Sequence, residues 1–273
     1  MYLVATPIGN LEDITLRAIN ILKNVDVIAA EDTRHTLKLL NHLKINKPLI
    51  SYYKQIEKSK SNVLIKKLLE GQNIALVSDA GTPGISDPGE EIVKEAINNN
   101  ITIIPIPGAC ALINALIASG ISTKEFCFIG FLPVNKKEKR EKLEESKLNK
   151  QTIIIYEAPH KLLNTLNVIY EIFGDRNIVL ARELTKIHEE FIRGKLSNIL
   201  EEIQEPKGEF VIVIEGSKKD KTDINLEELK NISLEEHYKY YEKQNLDKKE
   251  IIKKIAKDRN VNKNEIYQFF LKK

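Results

Sequence analysis

The sequence predicts an α/β fold arranged as two domains, residues 1–122 and 123–217, with a helical extension over 218–273. Three observations carry this. Short β-branched runs alternate with helix-period segments from the first residues onward. The alternation restarts after a helix that runs into Gly120, a C-terminal stop signal. Beyond residue 217 the chain becomes polar, rich in lysine and purely helical in its periodicity.

In the first domain, residues 2–5 read as a strand. Residues 13–23, with Ile14, Leu16, Ala18, Ile19, Ile21 and Leu22 apolar, read as a helix. Strand 25–30, helix 35–43, strand 49–51, helix 61–69 and strand 73–77 follow. Then comes Ser78-Asp-Ala-Gly-Thr-Pro-Gly-Ile-Ser-Asp-Pro-Gly89, after which Asp87 and Pro88 fit the N-cap and first position of a helix. A strand at 101–106 and a helix from Pro107 complete a βαβ series, which implies a mostly parallel sheet covered by helices. The second domain reads as strand 126–131, helix 136–148, strand 152–156, helix 160–172 and strands 177–181, 190–193 and 210–215. Residues 217–225 read as a linker. Residues 246–267 read as helix, turn, helix, with Ile251, Ile252, Ile255, Ala256, Val261, Ile266 and Phe270 as one apolar seam. Helix-turn-helix spacing with outward lysines fits a nucleic-acid module. It fits a helical packing or dimerisation appendage equally well.

Apolar residues make up 42% of the 273 and charged residues 30%, as in a globular protein with a proper core. A basic leader is missing before Pro7, and no run approaches the roughly 20 apolar residues of a membrane span. Cys110 and Cys127 lack metal-ligand spacing and read as small hydrophobes of a reducing compartment, so a cytoplasmic protein without a metal or a membrane is expected. The net charge is only +3, yet basic residues concentrate in the extension and at 136–150. Two such patches suit a polyanion such as RNA, and solvated helix faces would produce the same pattern.

Five stretches look like site material. In Ser78–Gly89, glycines permit positive φ and close approach to a ligand while prolines stiffen the loop, more than a plain turn needs. Thr6-Pro-Ile-Gly-Asn10 repeats this chemistry after the first strand, but neither a dinucleotide fingerprint nor a P-loop is present. Ala30-Glu-Asp-Thr-Arg-His35 exceeds what an N-cap requires. Tyr156-Glu-Ala-Pro-His160 brings Glu157 and His160 within reach across a proline turn, and Ala181-Arg-Glu-Leu-Thr-Lys186 is followed by His188, Glu189 and Glu190. Each follows a strand, where open α/β sheets bind ligands, although ion pairs such as Arg182 with Glu183 or Lys186 with Glu190 could be purely structural.

In order along the chain, VATPIGNLEDIT, IAAEDTRHTLKLL, LVSDAGTPGISDPG, PIPGACALINAL, FIGFLP, IYEAPHKL, LARELTKIHEE and GEFVIVIEG resemble the tetrapyrrole-methylase-like methyltransferases. Within them the chain is similar to the ribosomal RNA small subunit methyltransferase I family, over residues 1 to about 217 and in its lysine-rich tail. The resemblance implies two α/β domains with S-adenosylmethionine in the cleft between them, and a homodimer. It also implies methylation of a cytidine ribose 2′-hydroxyl in the decoding region of small-subunit rRNA, free or in an assembled subunit.

Carried over by position, cofactor contacts fall on Pro7, Ile8, Gly9, Asp79, Ala80, Gly81, Thr82, Gly84, Asp87, Pro107, Gly108 and Ala109. From the second domain they fall on Phe131, Ala181, Glu209, Phe210 and Val211. Three positions depart from the family pattern: Glu12 for glycine, Cys110 for serine and Lys161 for arginine, the last losing bidentate phosphate geometry. A ribose hydroxyl is a weak acid, so a base or a cation should assist its attack on the methyl carbon. Asp32, Arg34, Glu157, His160 and Lys186 are the candidates. The competing functions are methylation of a tetrapyrrole or other small molecule by the same fold, and RNA binding without turnover.

Overall fold

The structure is a computed structural model that describes residues 1–218, 229–230, 232–242 and 246–271. Two compact units emerge, Met1–Gly216 and Ser217–Lys273. Most of the expected linker 217–225 lies outside the described residues.

The larger unit holds two five-stranded sheets. The first contains β1 (Tyr2–Val4), β2 (Val27–Ala30), β3 (Leu49–Ser51), β4 (Ile74–Val77) and β5 (Ile104–Ile106), in the order β3-β2-β4-β1-β5. Every neighbouring pair is parallel. Helices α1 (Leu16–Asn24), α2 (Thr33–His42), α3 (Glu57–Leu69) and α4 (Glu90–Asn98) follow the first four strands, and α5 (Ala111–Ser119) follows β5. The strands are apolar throughout because both faces are covered. Ile28, Ala30, Ala75 and Val77 join the core of Ala18, Leu22 and Leu40, while Ala29, Ile74 and Leu76 pack with Leu64, Ile92 and Ala96. Because all five strands run the same way, the loops after β1, β2, β4 and β5 gather on one edge.

The second sheet contains β6 (Phe126–Phe131), β7 (Thr152–Glu157), β8 (Asn177–Arg182), β9 (Glu190–Lys195) and β10 (Phe210–Ile214), ordered β6-β7-β10-β8-β9. Only β6 and β7 are parallel; the other neighbours are antiparallel. Helices α6 (Lys136–Ser146), α7 (Pro159–Phe173) and α8 (Leu196–Glu202) bury Leu143, Leu162, Leu166, Ile169 and Ile199 against one face, with Ile153, Ile155, Leu180 and Ile212. The other face, through Ile154, Val179, Ala181, Val211 and Val213, packs on Leu112, Ala115 and Leu116 of α5. A helix that follows the first sheet thus cements the second.

The structure corrects four readings. Helix α4 begins at Glu90 with Gly89 as its N-cap at φ +149°, so Asp87 and Pro88 belong to the loop. Helix α8 has no counterpart among the expected elements. The ion pairs are exchanged, Arg182 with Glu190 and Lys186 with Glu183 and Glu209. Much of the 136–150 patch is paired, by Lys137–Glu141, Lys142–Glu145 and Lys147–Glu144 within it and by Arg140 with Glu171 of α7.

The smaller unit contains α9 (Leu234–Glu242), α10 (Lys248–Arg259) and α11 (Lys263–Leu271). Ile251, Ile252, Ile255, Ala256 and Ile266 form its core with Leu229 and Tyr241, and Phe270 packs against them. Val261, expected in that seam, is 38% exposed. Asn260 turns the chain between α10 and α11 in the left-handed conformation, φ +53°. The fully buried His237 bridges α9 to α10: its ring lies 3.3 Å from Asp258 Oδ2, and Arg259 Nε donates to Nδ1 at 3.1 Å.

Candidate active site

The loops at the carboxyl edge of the first sheet and the ends of β6, β7, β8 and β10 enclose a cleft of roughly 630 Å³. The loop after β1 is tied to the loop after β4 by a two-way bridge, Thr6 N to Gly81 O at 2.9 Å and Gly81 N to Thr6 O at 3.1 Å. Gly81 takes φ +82°, and a Cβ there would stand 3.1 Å from Ile8 Cγ2. Thr82 Oγ1 donates to Ala109 O at 3.1 Å, joining the loop after β5. Across the cleft, Phe131 and Phe128 stand edge-on to Tyr156, whose hydroxyl accepts from Leu112 N at 3.0 Å.

Of the expected cofactor contacts, Ile8, Asp79, Ala80, Gly81, Thr82, Asp87, Phe131, Ala181, Glu209, Phe210 and Val211 line the cleft. Pro7, Gly9, Gly84, Pro107, Gly108 and Ala109 belong to the same loops but do not line the cleft. Gly108 supports β1, because a Cβ there would come within 2.8 Å of Ala5 Cβ. Gly9 backs onto the loop after β8, where a Cβ would stand 2.5 Å from Lys186 Cγ. The lining also includes Glu31, Ile85, Ser86, Cys110, Tyr156, Pro159 and Leu184, none of which was among the expected contacts or proton-chemistry candidates. All of them lie inside the motifs quoted from the sequence, so the signal was the motif rather than the residue.

Among the five candidates for proton chemistry, Glu157 and His160 line the cleft. Both oxygens of the buried Glu157 are engaged, one by Thr165 Oγ1 at 2.6 Å and the other by Ala158 N at 2.9 Å. Thr165 Oγ1 in turn accepts from the buried ammonium of Lys139 at 2.9 Å. Glu157 therefore points inward and makes no hydrogen bond with His160 among the described residues. Glu157→Ala should strand the Lys139 charge and cost about 3 kcal/mol, read as a lowered denaturant midpoint. Lost turnover at unchanged stability would instead give this carboxylate a chemical role.

Asp32 and Arg34 satisfy each other in a forked pair, at 2.7 and 3.1 Å, and Asp32 also caps α2. The guanidinium holds the Asp32 carboxyl far below the usual carboxylate range, which makes it a weak base. Lys186 is occupied by Glu183 and Glu209, at 3.0 and 2.9 Å. His160 is exposed at the rim, with no ion pair among the described residues.

The carboxylates concentrate on the first-sheet wall. Asp79 Oδ1 accepts from Asp32 N at 2.9 Å, which fixes the loop after β2 to the loop after β4. Burial raises the pKa of Glu31, with the neighbouring charges of Asp79 and Glu57 adding to it. Asp87 is pushed up to about 7, first by burial and then by the charges of Glu31 and Asp79, against a hydrogen bond from Ser78.

A doubled α/β unit whose glycine-rich loops face a second, mixed sheet across one cleft is the architecture of a methyltransferase class. Residues 1–200 match the model for the tetrapyrrole (corrin/porphyrin) methylases. A solved structure of diphthine synthase superposes with a TM-score of 0.60 at 13% identity, covering 79% of this chain and 89% of that one, which shows the shared fold. The ribosomal RNA small subunit methyltransferase I of Bacillus subtilis is 50% identical over 99% of this chain and 93% of its own. Its namesake from Halalkalibacterium halodurans is 49% identical over 99% and 94%. The chain belongs to the ribosomal RNA small subunit methyltransferase I family, and its cofactor is S-adenosylmethionine.

The cleft fits that cofactor. Ile8, Ile85, Phe131, Leu184 and Val211 offer apolar surface for an adenosine, and Asp79 and Glu31 offer negative charge to a sulfonium and an ammonium. Gly81 keeps clear the space that a side chain would take from Ile8.

Proposed function

We propose that this protein methylates the ribose 2′-hydroxyl of a cytidine in the decoding region of small-subunit ribosomal RNA. The carrying observation is near-full-length identity, at about half of all positions, with relatives named ribosomal RNA small subunit methyltransferase I. The geometry supplies what such a reaction requires of the protein. Bound S-adenosylmethionine supplies an electrophilic methyl group on a sulfonium. The residues around it have to align an acceptor oxygen, exclude water and take up one proton. Phe131, Tyr156 and the loop after β4 wall the cleft on opposite sides. Asp87 Oδ is the proton acceptor, since a carboxyl that titrates near neutrality is a far better base than Asp32, and it has no cationic partner among the described residues. His160, at the rim, takes the acceptor side.

The deciding experiment is transfer of labelled methyl groups into small ribosomal subunits that lack the modification, followed by nucleoside analysis. Label is expected in 2′-O-methylcytidine. Label confined to small-molecule acceptors would move the function to the tetrapyrrole branch of the fold, and cofactor binding with no transfer would leave an RNA-binding protein. The same reading includes action in the cytoplasm as a homodimer, the latter checked by sedimentation.

A further inference from the structure

The two lysine-rich regions of the chain differ once their partners are known. On α6, the exposed Lys137, Arg140 and Lys142 each have a carboxylate within 4 Å, and Lys139 is buried on Thr165. On α10 the apolar positions Ile251, Ile252, Ile255 and Ala256 face the core, which turns Lys249, Lys253 and Lys257 outward at i, i+4 and i+8. These three ammonium groups form one stripe spanning about 12 Å of helix. None has an acidic partner among the described residues. Of the acids of α10, Asp258 is held by His237 and Tyr241, and Glu250 makes no ion pair with the three lysines among the described residues. Lys254 is set apart from the stripe, over the Tyr241 ring at 5.0 Å.

Aligned like charges on one helix face cost stability, so an unneutralised row implies a partner that neutralises it. The adjoining helix α11 exposes Lys263, Asn264, Tyr267 and Gln268, with Glu265 and Phe269, a mixed hydrogen-bonding and aromatic surface. Three outward lysines beside amide and phenol groups match the two kinds of contact nucleic acids offer, phosphates for position and base edges or faces for selection. The His237–Asp258–Arg259 network ties α9 to α10, which carries the stripe.

We propose that the C-terminal helical unit carries an RNA-docking surface in which Lys249, Lys253 and Lys257 bind consecutive phosphates and α11 meets exposed bases. This rests on the reading that the methyl acceptor is RNA, and adds to it a second point of attachment outside the catalytic cleft. The test compares the full chain with a variant carrying Lys249→Gln, Lys253→Gln and Lys257→Gln, in filter binding to transcribed small-subunit rRNA across a salt series. Glutamine keeps helix propensity and length, and circular dichroism with cofactor calorimetry checks that fold and cleft are intact. Affinity at low salt should fall at least about tenfold, and the slope of log K against log salt should lose about 2 to 3, at roughly 0.7 to 0.9 per phosphate contact. Cofactor affinity should not change, and Lys137→Gln with Lys142→Gln on the paired α6 face should leave the slope intact. An identical slope in wild type and triple variant would overturn the proposal while sparing the RNA reading. No RNA binding by the wild-type chain would overturn both.

Discussion

Asp87→Asn is expected to lower turnover by about 10²- to 10⁴-fold, the usual worth of a positioned general base, with much less effect on cofactor affinity. Asn is nearly isosteric and keeps the contact with Ser78, and Asp79 and Glu31 remain to face a cation. The wild-type rate should climb with pH and level off above about 7, as burial, Glu31 and Asp79 place the Asp87 titration there. In the variant that limb should vanish. A limb that survives unchanged would transfer the role to another group in the cleft, with His160 first in line, and His160→Ala would then be the variant to profile.

Stability supplies a readout independent of turnover. The folded state raises the Asp87 pKa above its ordinary value of 3.8, so the neutral form is the one folding favours. The stability this contributes is complete below the ordinary carboxylate range and is lost as pH rises to about 7. Asp87→Asn should therefore match wild type in acid and be the more stable protein at pH 8. A gain in stability paired with lost activity is what a functional carboxylate held in an unfavourable setting produces.

The loops of the first sheet were legible because their signal is local. Glycine and proline directly after β-branched runs mark ligand loops at strand ends, and the three loops so marked, after β1, β4 and β5, meet at the cleft. Asp87-Pro88 misled because it is a sound local cap signal overridden from a distance. Gly89 N is drawn 2.8 Å from Glu57 Oε1 on α3, and that pull, together with the glycine's φ of +149°, delays the helix to Glu90 and leaves Asp87 facing the cleft. Strand direction in the second sheet depends on pairings between residues far apart in the chain, as when β10 inserts between β7 and β8. Glu157 read as chemical because its motif does not reveal that Thr165, two turns into α7, takes its carboxylate. The charge patches were visible in the sequence, but whether each lysine had a partner was not.

Gly108→Ala should damage cofactor binding by pushing the loop after β5 off the end of β1. The new Cβ would stand 2.8 Å from Ala5 Cβ, and Ala5 is 2% exposed with no rotamer to yield. The backbone must move instead, which parts the end of β5 from the end of β1, where Ala5 N bonds to Ile106 O. The displacement carries Ala109, and with it the Thr82 contact and the neighbouring cleft residues Cys110 and Ala111. Overpacking of this kind costs about 1–3 kcal/mol, and a weakening of cofactor binding of at least about tenfold should accompany it in calorimetry. Gly84→Ala separates this from the generic cost of replacing a loop glycine. Gly84 has φ +82°, but a Cβ there would meet nothing within 4 Å, so its variant bears only the left-handed penalty of about 1–2 kcal/mol and should bind cofactor nearly as wild type does. Equal losses of affinity in the two variants would mean that loop flexibility, rather than the contact between β1 and β5, sets the shape of the cleft.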